Sequence, residues 1–351
     1  MSRKLMIEDR VVGSFERTLV VAEIGVNHDG RLDRALALVR HAVEAGADAV
    51  KLQVFRAESL MHGSARFASY QCERVNVATP SDMLRRLELP PAELAMVVAA
   101  VRHAGLVPLA TPFSPDDVAV IESLDLPAIK IASPDLVNRP LLRRCVQAHR
   151  PLLVSTGAAT LDEIDAAVSW LCEWGACFAL LHCVSAYPVE PQSANLCWIN
   201  ELSARYGVPV GYSDHADDTL AGALAVGHGA CVIEKHLTYD RGATGPDHAA
   251  SADPRQFAQY VSMIRNAEQL RGKPGRHVLD CERDVRTVSR QSLVLRRDIP
   301  AGSPIGSDDL AVQRPGTGIP ASEEPAVVGR IARAPLPAGT LLRWEMLGDA
   351  A

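Results

Sequence analysis

Between residues 18 and 270 this chain repeats one pattern eight times, a short apolar run followed by a helical period, and that repetition limits the folds open to it. Strand-like runs fall at 18–24, 49–55, 107–111, 128–133, 152–156, 178–183, 210–213 and 230–236. Ala, Leu and Val recur at 3.6-residue spacing between them, most clearly over 31–45, 91–104, 115–123, 161–174, 195–205 and 217–226, and an eighth helix is predicted over 254–270. Pro91, Pro115 and Pro140 stand where helices begin, and Gly46, Gly105, Gly175, Gly207 and Gly229 where they end. Eight such units in about 250 residues predict an α/β fold of the closed (β/α)₈ barrel type. A doubly wound open sheet is the alternative, but it usually has fewer strands and often a glycine-rich first turn, which is missing here.

The flanks have a different character. Residues 1–17 are polar and suggest a hairpin ahead of the barrel. The stretch 56–90, with Tyr70, Gln71 and Asn76, is too long for a plain strand-to-helix loop and predicts either a substrate wall or a helix packed outside the barrel. Gly272-Lys-Pro-Gly-Arg276 reads as a linker, so the barrel is assigned to 1–271, the linker to 272–285 and a small β-rich domain to 286–351. That last domain carries an internal repeat, since Arg297-Asp-Ile-Pro-Ala-Gly-Ser-Pro-Ile305 resembles Ala334-Pro-Leu-Pro-Ala-Gly-Thr-Leu-Leu342.

Bulk properties exclude several classes. A net charge of −6 with no basic run argues against a nucleic-acid partner, and no window of 18 apolar residues predicts a membrane span. The eight cysteines include no C-x-x-C pair and several lie in apolar runs. With no signal-like start, they predict a cytoplasmic protein with reduced thiols. Only five of the 36 basic residues are lysine, and Lys51, Lys130 and Lys235 sit in or at the end of strand-like runs. Lysine there either snorkels out or meets an anion as a compact cation.

In a barrel the chemistry lies at the C-terminal strand ends. Those ends offer Glu23 to His28, Lys51 with Gln53, Thr111, Lys130 with Ser133, Ser155, His182 to Tyr187, Ser213 to His215, and Glu234-Lys-His236. A broken loop follows with Asp247 and His248. Period-two alternation turns Glu234 and His236 to one face and Lys235 to the other. His215 and His236, from neighbouring strands, are candidate ligands for Mn²⁺, Zn²⁺, Co²⁺ or Fe²⁺, with positions left open for substrate oxygen. His28 and His182 read as structural or as supports one layer behind the ligands. Lys51, Lys130, Ser133, Ser155 and Ser213 make a cationic, hydroxyl-rich rim suited to phosphate and carboxylate. A structural Lys–Glu network or a Schiff-base lysine are the other readings of the two lysines.

Ala22-Glu-Ile-Gly-Val-Asn-His-Asp-Gly30, Lys51-Leu-Gln-Val-Phe55, Ala110-Thr-Pro-Phe113, Lys130-Ile-Ala-Ser133, Ser155-Thr-Gly157, Gly211-Tyr-Ser-Asp-His215, Glu234-Lys-His236 and Gly245-Pro-Asp-His248 together resemble the sialic acid synthase family, in order and spacing. The tail, with Gln313-Arg-Pro-Gly-Thr-Gly318, resembles that family's SAF (antifreeze-like) domain. The resemblance implies condensation of phosphoenolpyruvate with an N-acetylated hexosamine aldehyde, giving a nonulosonic acid and phosphate. It implies a metal on His215 and His236, usually Mn²⁺, with Mg²⁺, Co²⁺ or Zn²⁺ as alternatives. Lys51, Thr111, Lys130, Ser133, Ser155, Ser185 and Ser213 would line the phosphoenolpyruvate site. Glu23, Gln53, Tyr187 and Asp247 would face the sugar, with Glu234 close to the reacting carbons. Arg314 would reach the sugar in a domain-swapped homodimer.

The implied chemistry needs a polarised aldehyde and a base for the water that adds to C2, and either Glu23 or Glu234 can serve as that base. Ser185 stands where many sialic acid synthases have Asn, and Val54 where they have Thr. Ser185 is closer to relatives that make legionaminic or pseudaminic acid, so the acceptor is either N-acetylmannosamine or a 6-deoxy diacetamido hexose. Two rival readings are a metal-dependent aldolase using free pyruvate and a non-catalytic sugar-binding protein.

Overall fold

The structure, a computed structural model, describes residues 4–67 and 77–350, so Tyr70, Gln71 and Asn76 lie outside the described residues. The chain separates into two compact units, Met1–Lys273 and Pro274–Ala351.

In the first unit an antiparallel hairpin, β1 (Leu5–Ile7) and β2 (Arg10–Val12), precedes a closed parallel barrel. Its strands are β3 (Leu19–Gly25), β4 (Ala49–Val54), β5 (Val107–Pro112), β6 (Ile129–Ile131), β7 (Leu152–Ser155), β8 (Phe178–Cys183), β9 (Val210–Asp214) and β10 (Val232–His236). They follow one another in chain order, and β10 pairs with β3 to close the ring. Helices α1 (Leu32–Glu44), α2 (Ala57–Leu60), α3 (Pro80–Leu87), α4 (Pro91–His103), α5 (Pro115–Ser123), α6 (Arg139–Gln147), α7 (Leu161–Glu173), α8 (Trp198–Tyr206), α9 (Ala221–Gly227) and α10 (Pro254–Arg271) connect the strands or follow the last one.

Local chemistry sets these limits. Thr160 and Glu163 form a reciprocal capping box that starts α7, and Asp253 and Gln256 do the same for α10. Gly207 ends α8 with φ +64°, a left-handed turn that costs glycine nothing. Strand β6 is shorter than the apolar run suggests, because Ser133–Val137 turns into a 3₁₀ helix at Pro134.

Alternation splits each strand between two apolar layers. Val20, Ala22, Ile24, Val50 and Leu52 face the helices, whereas Leu19, Val21, Ala49, Val107, Leu109 and Val232 face the barrel interior. Leu5, Ile7 and Val12 of the hairpin join that interior layer, where they pack with residues at the strand starts. The interior is therefore apolar at the strand starts. Towards the exits it turns polar, with Glu23, Lys51, Thr111, Lys130, Ser155, Ser213 and Glu234 all buried. The insertion after β4 supplies α2 and α3, which pack a separate apolar cluster of Val26, Phe55, Met83 and Leu87.

The second unit contains a 3₁₀ turn at Asp280–Glu282 and helix α11 (Arg283–Ser289), so part of the expected 272–285 linker is helical. Two antiparallel pairs follow, β11 (Ser292–Leu295) with β12 (Leu310–Gln313) and β13 (Arg330–Ala332) with β14 (Leu347–Ala350), and α12 (Glu324–Val327) lies between β12 and β13. The sequence repeat is a structural one. Ile299 and Leu336, which occupy equivalent repeat positions, exchange both backbone hydrogen bonds at 2.8 and 2.9 Å. Arg296 donates from Nε to the Leu310 carbonyl at 2.6 Å, as Arg333 does to Leu347 at 2.7 Å. The two copies thus pair with each other and share one core. Among the described residues no helix is long and apolar enough to cross a membrane.

Candidate active site at the strand exits

A cavity of about 450 Å³ opens at the strand exits of the barrel. A larger depression of about 740 Å³ lies around Arg143, His149 and Trp174, near the ends of α6 and α7 and the starts of β7 and β8, away from this polar layer. Gln53, Thr111, Ser133, Ser155, Ser185, Tyr187, Ser213, Asp247, both lysines, Glu234 and both histidines all line the smaller cavity. Thirteen residues far apart in sequence thus meet because each lies at a strand end or in the loop that follows it.

Charge is organised around Lys51. Its Nζ lies 3.0 Å from Glu23 Oε2 and 3.2 Å from Glu234 Oε1, and it donates to Thr111 Oγ1 at 3.2 Å. Lys130 Nζ lies 3.7 Å from the same Glu234 oxygen and donates to the Ile131 carbonyl at 3.0 Å. Ser213 donates to Glu234 Oε1 at 3.1 Å, whereas Glu234 Oε2 is buried without a hydrogen-bond partner. Burial raises the Glu234 pKa, but Lys130 and Lys51 outweigh it and hold the carboxyl below its ordinary range. For Glu23 burial wins over the pull of Lys51, and its pKa rises. Burial pushes Lys130 down, while on Lys51 the two glutamates overcome burial and push it up.

Glu23 is fully buried beside Lys51 and is not among the residues that line the cavity, and its Oε1 accepts from Gln53 Nε2 at 3.0 Å. The pairing of β3 with β4 slips between Glu23 and Gly25, where φ is +30°. A Cβ on Gly25 would come within 2.7 Å of the Gln53 amide and closer still to Glu23 Oε1. The glutamate therefore folds back over a glycine. Arg314 follows β12 in the second unit and is exposed.

The hydroxyls converge on another glycine. Gly157 donates from its backbone to Ser133 Oγ at 3.0 Å, and a Cβ there would meet Ser133 Oγ at 2.7 Å and Ser185 Oγ more closely. Ser155 Oγ is buried and unpartnered. A donor left without a partner inside a cationic cavity suits an anionic ligand that supplies the acceptor.

The His215 and His236 rings stand 5.6 Å apart, and Tyr187 lies 4.2 Å from His215. His215 Nδ1 is 3.0 Å from the Val184 carbonyl, which can only accept, so Nδ1 carries a proton and Nε2 is the nitrogen left to serve as a ligand. Burial, then His215 and Lys51, push His236 well down, and its buried Nδ1 has no hydrogen-bond partner, although Asp247 Oδ2 is 3.7 Å away. Two imidazoles side by side, once both are neutral, suit a borderline divalent cation. Among the described residues no three His, Cys, Asp or Glu form a metal-holding group, so such an ion would have only this pair as its basis.

Sequence reasoning passed over the apolar side of the cavity. Leu60 and Met61 at the end of α2, with Met83 and Leu84 of α3, form it. The 56–90 stretch is thus a wall in its described part. Its signal was the spacing of apolar residues within α3, hidden by the length of the insertion. His28 accepts from the Gly30 backbone at 3.1 Å and His182 bonds the Ala194 carbonyl at 2.7 Å, both structural arrangements.

Barrels of this kind work at the strand-exit mouth, and a mouth lined by paired lysines, hydroxyls and imidazoles belongs to an enzyme that handles a small anionic substrate. The chain belongs to the NeuB family, whose profile matches residues 38–276, and a SAF domain profile matches residues 290–348. It is 39% identical over 339 residues to N,N'-diacetyllegionaminic acid synthase of Legionella pneumophila, covering 95% of each chain. It is 34% identical to the Campylobacter jejuni protein of the same name, covering 90% of this chain and 96% of that one. The solved structure of N-acetylneuraminic acid synthetase from Leptospira borgpetersenii superposes with a TM-score of 0.75 at 29% identity, covering 81% of this chain and 95% of that one.

Proposed function

We propose that this chain joins phosphoenolpyruvate to the aldehyde carbon of an N-acetylated hexosamine, forming a nonulosonic acid and releasing phosphate. The observation that carries this reading is the placement of Lys51 and Lys130 within 3.2 and 3.7 Å of one Glu234 oxygen, inside a hydroxyl-rich cavity. Two ammonium groups there bind the phosphate and carboxylate of the enol ester and hold its C3 towards the acceptor. C3 bonds to the aldehyde carbon, whose oxygen takes up one proton, a water oxygen bonds to C2 and loses both its protons, and the C2–O bond to phosphate breaks as the 2-keto group forms. Glu234 is the base for that water. It lines the cavity, is held ionised by the two lysines, and keeps Oε2 free to take the proton. Glu23 instead fixes Lys51 from behind.

His215 and His236 would hold a divalent metal, Mn²⁺ first and Mg²⁺, Co²⁺ or Zn²⁺ as alternatives, supplying Lewis-acid polarisation of the aldehyde oxygen. The acceptor is a 6-deoxy diacetamido hexose. Ser185 and the similarity to diacetyllegionaminic acid synthases favour it, and the apolar side formed by Leu60, Met61, Met83 and Leu84 suits a terminal methyl better than a hydroxymethyl. The working form is a homodimer in which Arg314 reaches the acetamido group bound in a second copy's barrel, a role suited to a planar guanidinium.

The test is a panel of N-acetylated hexosamines with phosphoenolpyruvate and Mn²⁺, read by product mass. The largest kcat/KM should belong to the 6-deoxy diacetamido acceptor. Preference for N-acetylmannosamine would contradict the acceptor assignment alone.

A further inference from the structure

Behind the two histidines, on the outer face of the barrel, lies a buried charged cluster that contributes no group to the cavity. Asp214 and Lys235 are register partners at the ends of β9 and β10, and both are buried. Lys235 Nζ donates to Asp214 Oδ2 at 3.0 Å and to the Ala216 carbonyl at 2.7 Å. Tyr260 of α10 donates from its hydroxyl to Asp214 Oδ2 at 2.6 Å, with its ring 4.8 Å from the Lys235 ammonium. Asp214 Oδ1 accepts from the Ala216 backbone at 2.8 Å. Gly222 of α9 leaves room for that phenol, since a Cβ there would overlap both the Tyr260 ring and its hydroxyl oxygen.

The sequence positions give the cluster its meaning. Asp214 and Ala216 bracket His215, and Lys235 immediately precedes His236. Alternation along each strand turns the histidines inward and these neighbours outward. One ammonium therefore grips both residues flanking the first histidine from the residue next to the second. A buried ion pair is a poor source of net stability, because desolvation offsets most of its attraction and an apolar replacement is often neutral or better. What such a pair can supply is a fixed register between two strands.

We propose that Asp214, Lys235 and Tyr260 are positioning residues that set the spacing of His215 and His236, and hence the affinity of that pair for a divalent metal. The inference rests on the metal assignment made above. Stability and metal affinity should therefore separate when the charges are removed together.

The experiment titrates full-length protein with Mn²⁺ alone, following free Mn²⁺ by electron paramagnetic resonance, and records thermal unfolding without metal. Asp214→Asn/Lys235→Met should unfold within about 5 °C of wild type and bind Mn²⁺ tenfold or more weakly, on the order seen when the partners of metal ligands are lost. Binding within about twofold of wild type would overturn the proposal. If the double variant does not fold, Tyr260→Phe carries the same readout, since it removes one bond to Asp214 and keeps the ring. A weaker Mn²⁺ affinity at unchanged unfolding temperature supports the proposal, and an unchanged affinity overturns it. Wild-type protein that binds none of Mn²⁺, Mg²⁺, Co²⁺ and Zn²⁺ would refute the metal assignment itself, and this proposal with it.

Discussion

Lys51 and Glu234 meet at 3.2 Å although their strands, β4 and β10, are not neighbours, because both side chains cross the barrel interior above β3. Glu23 of β3 completes the group from behind at 3.0 Å. The lysine therefore separates two buried carboxylates and, under the proposed function, has the second task of presenting a cation to substrate.

That double task predicts unequal effects of removing the two lysines. Lys51→Ala leaves Glu23 and Glu234 buried with no ammonium between them, and breaking such a group costs about 3–5 kcal/mol of stability. Lys130→Ala removes a 3.7 Å ion pair and a bond to the Ile131 carbonyl but leaves Lys51 between the two glutamates, and should destabilise less. Both should lower kcat/KM for phosphoenolpyruvate by about 2–4 kcal/mol in transition-state terms. Denaturant unfolding together with steady-state kinetics checks the pair. Equal stabilities for the two variants would contradict the central place given to Lys51.

Gly157→Ala should impair phosphoenolpyruvate use with little change in fold. The added methyl meets Ser133 Oγ at 2.7 Å and crowds Ser185. Both hydroxyls must turn, and a displacement of about 1 Å at a site costs on the order of 100-fold in rate. The expected readout is a raised KM for phosphoenolpyruvate with the acceptor KM less affected.

Acid should weaken the fold through His28. Burial pushes this imidazole down to about 4, and its Nδ1 accepts from the Gly30 backbone, so the native state holds it neutral. The folded pKa lies below the unfolded value of about 6.5, so the unfolded chain takes up the proton first. The contribution is complete above pH 6.5 and is lost as pH falls towards 4, by up to about 3 kcal/mol. His28→Asn keeps an acceptor at the Nδ1 position without the titration. Its unfolding temperature should fall less steeply than that of wild type between pH 6.5 and 4.5, and parallel curves would assign the acid sensitivity elsewhere.

Subunit mixing tests Arg314. Arg314→Ala and Lys130→Ala should each be inactive alone, and a heterodimer of the two holds one barrel with Lys130 served by one intact Arg314. Exchange should restore about a quarter to a half of the sites. A mixture that stays inactive after proven exchange would place Arg314 outside the reaction or within its own chain.

Much of this was legible in the chain because barrel strands are bounded by chemistry. The run 178–183 matches β8 residue for residue, since apolar Phe-Ala-Leu-Leu is flanked by a helix-ending Gly175 and the turn after Cys183. Inward positions at strand ends followed from alternation, which is why Lys51, Lys130, Ser213 and Glu234 were found together. The burial of Glu23 could not be read from the chain, because a register slip at a positive-φ glycine carries no periodic signal. Lys235 could be turned outward by alternation, but its partner Tyr260 comes from a helix 25 positions later, a distance no local pattern spans. The repeat at Ile299 and Leu336 was visible as similarity, whereas the pairing of one copy with the other is a tertiary fact.

The central claim is that phosphoenolpyruvate, with its phosphate, is the three-carbon donor. The most direct measurement gives the purified chain, with Mn²⁺ and a 6-deoxy diacetamido hexose, either phosphoenolpyruvate or free pyruvate, and follows phosphate and acid product together. The account predicts one phosphate per nonulosonic acid from phosphoenolpyruvate, and no product from pyruvate. Product from pyruvate, or acid formed without phosphate, would contradict it and make the chain a pyruvate aldolase.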